Sequence, residues 1–543
     1  MILKNLVLAL IILIYFDCEL RAQETNERSE PVIALELNEE VPDPSLRGND
    51  SIVNGIEGKA LYFSNDCNTK GHLFKNSDQL SELWTGGDFS IVLWVQTSES
   101  NKDFQVIAAN KDWNSGEIKD FTDNRYFGFS RTSGVNKGWA IVCQPDGSWA
   151  WNIGNGKHDG KEVRVESFRK DYRPTAPRQQ INDGEWHQIA FTVNRNANEA
   201  RLYFDGQNVA IYYMGPVKDL DSGLPICVGN DPLYTDNSNA FNGAIDEFKV
   251  YDYLLDEKSI ASNYSDYVPV AKLAQLSSKP IEELNVMTWN IWHGGRRHGR
   301  EIGPQQVIDF IKDTDTDIVM MQETYGSGPL IADQLGYYFY LSSANISVIS
   351  KYPINKTKMA YHELWSGICN IQLSEKQSVN LASIWLHYLP SIGQSLQQKD
   401  ITPDELIAGE SKTRHKEIKI ILDSLKNEID MADEVPLLIG GDFNSPSHID
   451  WVESTKDWHY DLAVEWPVSK IMQLKGFKDS FREIHADLNY SSSTIEAKDL
   501  SFRIDYIYYK GKSLQAEQSD MHFQYKGIWP SDHPALITTF KLK

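Results

Sequence analysis

Cysteine is scarce in this chain, positive charge is outnumbered, and no hydrophobic run is long enough to cross a membrane. Five cysteines stand among 543 residues, none in a Cys-x-x-Cys pair, which excludes a zinc ribbon or a dithiol redox motif. Past the N-terminus, Cys67, Cys143, Cys227 and Cys369 read as small buried hydrophobes. Lysine and arginine number 53 against 76 acids, a formal net charge of −23. That balance excludes a protein that grips a long polyanion by bulk charge. Internal repeats and low-complexity tracts are missing too. The apolar stretch Leu6 to Phe16 falls short of the roughly 20 residues of a membrane-spanning helix. With Lys4 before it and Arg21-Ala22-Gln23 after it, it reads as a signal peptide over residues 1–22. The expected location is therefore secreted, periplasmic or cell-surface, with no transmembrane segment.

What is present suffices for folded cores. Hydrophobic residues make up 41 % of the chain, and its length calls for two or three domains. Residues 23–50 are polar and acidic and read as a flexible leader. From 51 to 266, short alternating strands are separated by Gly, Asn and Asp, as in Phe89 to Val95, Glu185 to Val193 and Ala200 to Phe204. Asp205-Gly206 then marks a tight hairpin. Strands at this spacing predict an antiparallel sandwich. The wording of Gly184 to Phe191 and of Phe241 to Tyr251 resembles the laminin-G/concanavalin-like family. That resemblance implies an all-β jelly-roll sandwich closed by a short helix over Asp256 to Asn263. Sugar binding and a Ca²⁺ ion are expectations of that family. No residue here marks the ion, and Trp113, Trp139, Trp149 and Trp151 are read as core before they are read as sugar platforms.

Residues 267–282, centred on Ser277-Ser278-Lys279-Pro280, read as a linker. From 283 to 543 strands alternate with helices. Leu284 to Trp289, Asp317 to Gln322, Val435 to Gly440 and Pro534 to Phe540 read as strands, and Pro304 to Asp313 and Ser411 to Glu428 as helices.

Six segments of this half end a hydrophobic strand with polar or ionisable residues: Thr288-Trp289-Asn290, Met321-Gln322-Glu323, Trp385-Leu386-His387, Gly440-Gly441-Asp442-Phe443-Asn444, Arg503-Ile504-Asp505 and Ser531-Asp532-His533. Together they supply two histidines, four carboxylates and three carboxamides, an inventory suited to one hard divalent cation, one activated water and one phosphate. Glu323 follows an apolar strand, and a carboxylate there needs a partner; Mg²⁺ accepts one or two carboxylates plus other oxygens. Asp442 and Asn444, two apart on an extended chain, are expected on one side of it, with the glycines admitting a ligand close to the backbone. Arg296 and Arg297, in a Gly-rich loop after the first strand, suit phosphate capture.

The order and wording of these segments resemble the endonuclease/exonuclease/phosphatase superfamily, and on the side of His387 its deoxyribonuclease- and sphingomyelinase-like members. The resemblance implies an α/β four-layer sandwich with the site at one edge. It implies Glu323, Asn290 and Asp532 around Mg²⁺ or Mn²⁺, and Asp442, Asn444, His387 and an Asp505–His533 pair in catalysis. Asp442 and His533 both qualify as general base. The expected function is a metal-dependent phosphoester hydrolase, foremost a phosphodiesterase acting on nucleic acid or phospholipid. A phosphomonoesterase acting on phosphorylated sugars or inositols, and a non-enzymatic polysaccharide-binding protein, are the alternatives. A lipid substrate calls for an apolar hairpin, for which Trp458 to Trp466 is the candidate.

Overall fold

Strands buried on both faces build the centre of the N-terminal half. The computed structural model describes residues 30–36, 51–64, 71–99, 103–113, 118–120, 129–131, 136–154, 172–215, 219–233, 239–268, 276–343, 345–362, 365–488, 502–527 and 529–543. Phe89–Gln96 and His187–Asn194 pair antiparallel at the centre of one sheet, flanked by Gly243–Tyr251 and by the hairpin Glu199–Phe204/Gln207–Tyr213. Asp205 and Gly206 both take positive φ, at 49° and 76°, as the tight turn requires. A second sheet, built on Gly138–Cys143 and Ser148–Gly154, faces it. Trp113, Trp139, Trp149 and Trp151 are all buried, so they belong to the core. Cys143 and Cys227 are buried thiols, as is Cys369 in the other half. The closing helix runs Glu257–Ser265, with the Asp256 carboxylate accepting from the Ser259 amide.

The segment expected as signal peptide lies outside the described residues, as does most of the leader. Part of that leader is not loose: Ile33–Leu35 forms a strand paired with Val250–Phe248, its two isoleucine and leucine side chains turned into the core.

The C-terminal half stacks two sheets between helices. One sheet holds Glu283–Asn290, Ile318–Gln322, Ile346–Ser350, Tyr338–Leu341, Ala535–Leu542 and Leu514–His522; the other holds Ile354–Lys358, Ser366–Gln372, Ser378–Trp385, Leu437–Asp442, Asp505–Lys510 and Lys478–Asp479. Val286, Met320 and Val348 meet Leu381, Leu438 and Ile507 between the sheets. Ile302–Asp313 and Gly328–Leu335 cover one outer face, and Arg414–Ser424 and Pro467–Leu474 the other. The helical pattern over 411–428 is interrupted: separate helices run Pro403–Lys412, Arg414–Ser424 and Lys426–Asp430, because Thr413 and Leu425 leave helical φ/ψ.

The two halves are joined edge to edge. Ile211 and Tyr212 pair in parallel with Tyr340 and Leu341, giving one continuous sheet of 14 strands. Arg178 Nη2 crosses to Asp333 Oδ1 at 2.6 Å, and Tyr212 packs edge-on against Phe339. The expected apolar hairpin at 458–466 is absent: Glu453–Trp458 is a 3-10 helix, and Trp466 is buried against Trp451. No described helix is long and apolar enough to cross a membrane.

Candidate active site

Strands that run in register deliver the polar residues to one edge. Asp442 lies opposite Trp385 on one neighbouring strand and opposite Asp505 on the other. In the facing sheet, Asn290 lies opposite Gln322, with Glu323 next. The glycines before Asp442 serve the sandwich rather than a ligand. A Cβ on Gly440 would collide with Met320 of the facing sheet, and one on Gly441 with the Ile384 carbonyl.

Asp442, Asp505 and His533 offer ligand atoms that all lie within 4.8 Å of one another, and all three are buried. Asp505 Oδ2 sits 2.8 Å from His533 Nδ1, which leaves Nε2 as the working nitrogen, 3.9 Å from Asp442 Oδ2. The Asn290 carboxamide N–H₂ stands at the centre. It reaches Asp442 Oδ2 at 3.2 Å, Glu323 Oε1 at 3.4 Å and His533 Nε2 at 3.5 Å. Asn444 donates to Asp442 twice, from its amide at 2.9 Å and its Nδ2 at 3.2 Å. It does so from a left-handed backbone with φ 48°, not from the extended chain expected. Asn tolerates that region better than most residues.

His387 is held differently from His533. Among the described residues no carboxylate is hydrogen-bonded to its ring. Instead the Leu389 amide donates to His387 Nδ1 at 2.9 Å, which assigns the neutral tautomer with the proton on Nε2. Its own amide donates to Glu417 Oε2, and Arg414 Nη1 holds its carbonyl. Leu386 O accepts from Asn444 Nδ2, which fixes His387 beside the cluster.

The loop after Asn290 divides the two arginines. Arg297 Nη1 donates to Ser531 O at 2.8 Å, beside Asp532 and His533. Arg296 is only 2 % exposed and is turned inward, so it is not a surface phosphate ligand. Burial, reinforced by Arg300, lowers its guanidinium to about 9.

Several residues of the site were given no role in the sequence reading. Asn345 Oδ1 accepts from the Glu323 amide. His293 places its amide 3.1 Å and its Nε2 3.6 Å from Glu323 Oε2. Ser531 Oγ ties the Asn290 carbonyl to the His533 amide. Trp292, His293, Glu323 and Asn444 all have positive φ, a concentration of backbone strain typical of functional sites.

Charge is unbalanced here. Burial raises Asp442 and Asp505, against the pull of His533. Burial would lower His533, but Asp505 and Asp442 outweigh it and raise it well above the ordinary histidine range. The buried Oδ1 of Asp505 and that of Asp532 have no hydrogen-bond partner among the described residues. Carboxylates and an imidazole converging with unsatisfied oxygens fit a hard divalent cation.

Comparison with known proteins agrees with the strand-end motifs. Residues 74–261 match the family model of the Concanavalin A-like lectin/glucanases superfamily, and residues 287–533 that of the Endonuclease/Exonuclease/phosphatase family. The chain thus carries, in that order, a concanavalin-like jelly roll and the domain of a phosphoesterase- or nuclease-like hydrolase. An uncharacterized Caenorhabditis elegans protein, F14F9.5, is 28 % identical over 292 residues, 47 % of this chain and 91 % of its own. Truncated Caenorhabditis elegans TDP2 superposes with a TM-score of 0.34 at 18 % identity, over 48 % of this chain and 98 % of its own. An AP endonuclease from Archaeoglobus fulgidus does so with 0.34 at 16 % identity, over 47 % and 98 %.

Proposed function

We propose, from the premise of an endonuclease/exonuclease/phosphatase domain, that this protein is an exported phosphodiesterase dependent on Mg²⁺ or Mn²⁺. One observation carries the reading: Asp442, Asp505 and His533 converge within 4.8 Å at the strand ends, with Asn290 bridging to Glu323. Glu323, Asn290 and Asp532 would hold the cation, leaving Asp442 Oδ2 and His533 Nε2 for the proton. When bound, it supplies a Lewis acid that withdraws charge from the phosphoryl oxygens.

The chain's own residues do the rest. Asp505 orients His533, and the Asp442–His533 pair takes one proton from the attacking water. The water oxygen bonds to phosphorus as the ester P–O bond breaks, and that electron pair leaves on the ester oxygen. His387 Nε2–H, with Asn444 and Arg297, hydrogen-bonds the phosphoryl oxygens as charge builds on them, and the ester oxygen leaves as the anion and takes its proton from solvent. The jelly roll holds the enzyme on a polysaccharide or surface. An open pocket of about 190 Å³ lined by Tyr62, Gln96, Glu99 and Asn242 is its candidate site. Glycan binding that survives Asn242→Ala would move that site elsewhere.

The test is turnover of bis-p-nitrophenyl phosphate and p-nitrophenyl phosphate with Mg²⁺, Mn²⁺ or EDTA, beside His533→Ala. Turnover of the diester that needs both metal and His533 supports the reading. Turnover of the monoester alone replaces it with a phosphomonoesterase.

A further inference from the structure

One row of side chains crosses the second sheet at the edge of the site. Asp505, Asp442 and Trp385 are successive register partners, and the Trp385 amide donates to the Trp365 carbonyl on the next strand. The row therefore reads acid, acid, indole, indole. Register partners on adjacent strands share a face, and residues two apart on one strand share it as well. Ser383 meets Gln322 of the facing sheet, so Trp385, two residues on in the same strand, projects to the same side, toward the cleft between the sheets.

The aromatic end of this row is stacked and open. The Trp365 and Trp385 rings lie 5.1 Å apart and within 7° of parallel. His387 lies 5.5 Å from Trp365. Tyr388 stacks on His387 at 5.2 Å and 10°, and lies 6.0 Å from Trp385. Tyr388 is 52 % exposed, and both indoles are only partly buried. Neighbouring strands are spaced about 4.8 Å apart. A phosphate held at Asp442 and His533 thus has an aromatic surface beginning one strand away, on the His387 side.

We propose that Trp365, Trp385 and Tyr388 form the specificity platform of this site. It receives the nucleobase of an unpaired nucleotide whose phosphate lies at the Asp442–His533 cluster. The inference rests on the phosphodiesterase reading and gives it a substrate class, single-stranded nucleic acid. Three features favour a base. Near-parallel indoles present a flat face, which suits a planar ring. The walls of a cage around a trimethylammonium group, as in a phosphocholine lipid, are instead turned toward one another. Stacking needs an unpaired base, because a base in a duplex has no free face. Stacking also needs no basic surface, which reconciles a nucleic-acid substrate with a net charge of −23. Binding is accordingly expected to depend weakly on salt, unlike recognition through phosphate contacts.

The experiment uses the full chain with two fluorescent oligomers of equal length, oligothymidylate and a chain of abasic phosphodiesters. Affinity is read by anisotropy in EDTA, and turnover with Mn²⁺. The expected result is a preference for oligothymidylate of about tenfold or more, in the range that base–aromatic stacking supports. Tyr388→Phe keeps that preference, whereas Tyr388→Leu and Trp385→Leu bring the ratio toward one. Tyr388 is exposed, so its variants fold even where a tryptophan variant does not. Equal affinities in the wild type, or a ratio unmoved by Tyr388→Leu, overturn the proposal. It is also overturned if the aromatic variants lose turnover of sphingomyelin vesicles while the thymidylate ratio stands. Failure of both oligomers and of bis-p-nitrophenyl phosphate to turn over defeats the phosphodiesterase reading instead, and the anisotropy ratio then still decides the platform.

Discussion

Two clusters of buried charge sit side by side in the C-terminal half, fed by residues as close as Arg503 and Asp505. In the first, Arg503 donates to both Asp450 and Asp479 through its forked guanidinium, and Arg482 Nε adds a 2.6 Å bond to Asp450. Two cations meet two anions, and Arg503 is further sandwiched at 4.9 Å and 4.8 Å by the Phe481 and Tyr506 rings. In the second, Asp442 and Asp505 share one imidazole, with Glu323 and Asp532 close by. The first cluster closes on itself, whereas the second has negative charge and lone pairs left over. Buried charge alone therefore does not mark a site; the surplus does.

The sharpest break of this comparison sets His533→Ala beside Arg503→Ala. His533→Ala should lose at least about a thousandfold in kcat, within the reach of acid–base catalysis, and melt within a few degrees of the wild type. Arg503→Ala leaves buried Asp479 without its cation and Asp450 with Arg482 alone, and should cost about 3–5 kcal/mol of stability. Thermal melts and turnover on both variants check this. Similar melting of the two would erase the distinction.

Asp442→Asn sharpens it further. Removing one of the crowded charges should abolish turnover by about a hundredfold or more while leaving the EDTA melting temperature unchanged or raised. A lowered melting temperature would place Asp442 with the structural cluster.

Metal should act on one cluster alone. Saturating Mn²⁺ at about 100 times its Kd should stabilise the wild type by about 2.7 kcal/mol. Glu323→Gln should reduce that shift, and Lys478→Ala, beside the balanced cluster, should not. An equal shift in all three, measured by thermal melting, would detach the metal from Glu323.

The smallest effect concerns Glu410, a buried carboxyl with one foot in each situation. It has a hydroxyl partner, Ser445, and Arg414 nearby, yet burial pushes it up to about 7 against their pull. The folded state thus holds its proton more tightly than the unfolded chain. That contribution is complete below the unfolded value of 4.5 and is lost as pH rises through about 7. Between these limits wild-type stability should fall by on the order of 2 kcal/mol relative to Glu410→Gln. Urea melts across this window measure the difference, and parallel curves would show that Arg414 already balances the charge.

Most of the site was legible because strands write locally. Apolar runs close at Asn290, Glu323 and Asp442 and another opens at Asp505, and the polar residue stood out against each run. Legibility failed where a distant partner decides. Arg296 reads like Arg297 in its loop, yet it is buried while Arg297 reaches Ser531. The glycine pair before Asp442 suggested room for a ligand, whereas Met320 and Ile384 take that room. The leader looked featureless, yet Ile33–Leu35 finds its partner strand more than two hundred residues later.

By itself the sequence determined the inventory: two families of strands, six polar strand ends, and an acidic chain with too little bulk charge to hold a polyanion. Those properties follow from residue type and short-range periodicity. Only the tertiary structure decided which buried acids are neutralised, through Arg503 reaching Asp479 and Asp450 across 24 and 53 residues. It also aligned Trp365 and Trp385 with Asp442 in one row and joined the two halves through Tyr212 and Leu341. Strand register and charge pairing are non-local, and no local pattern encodes them.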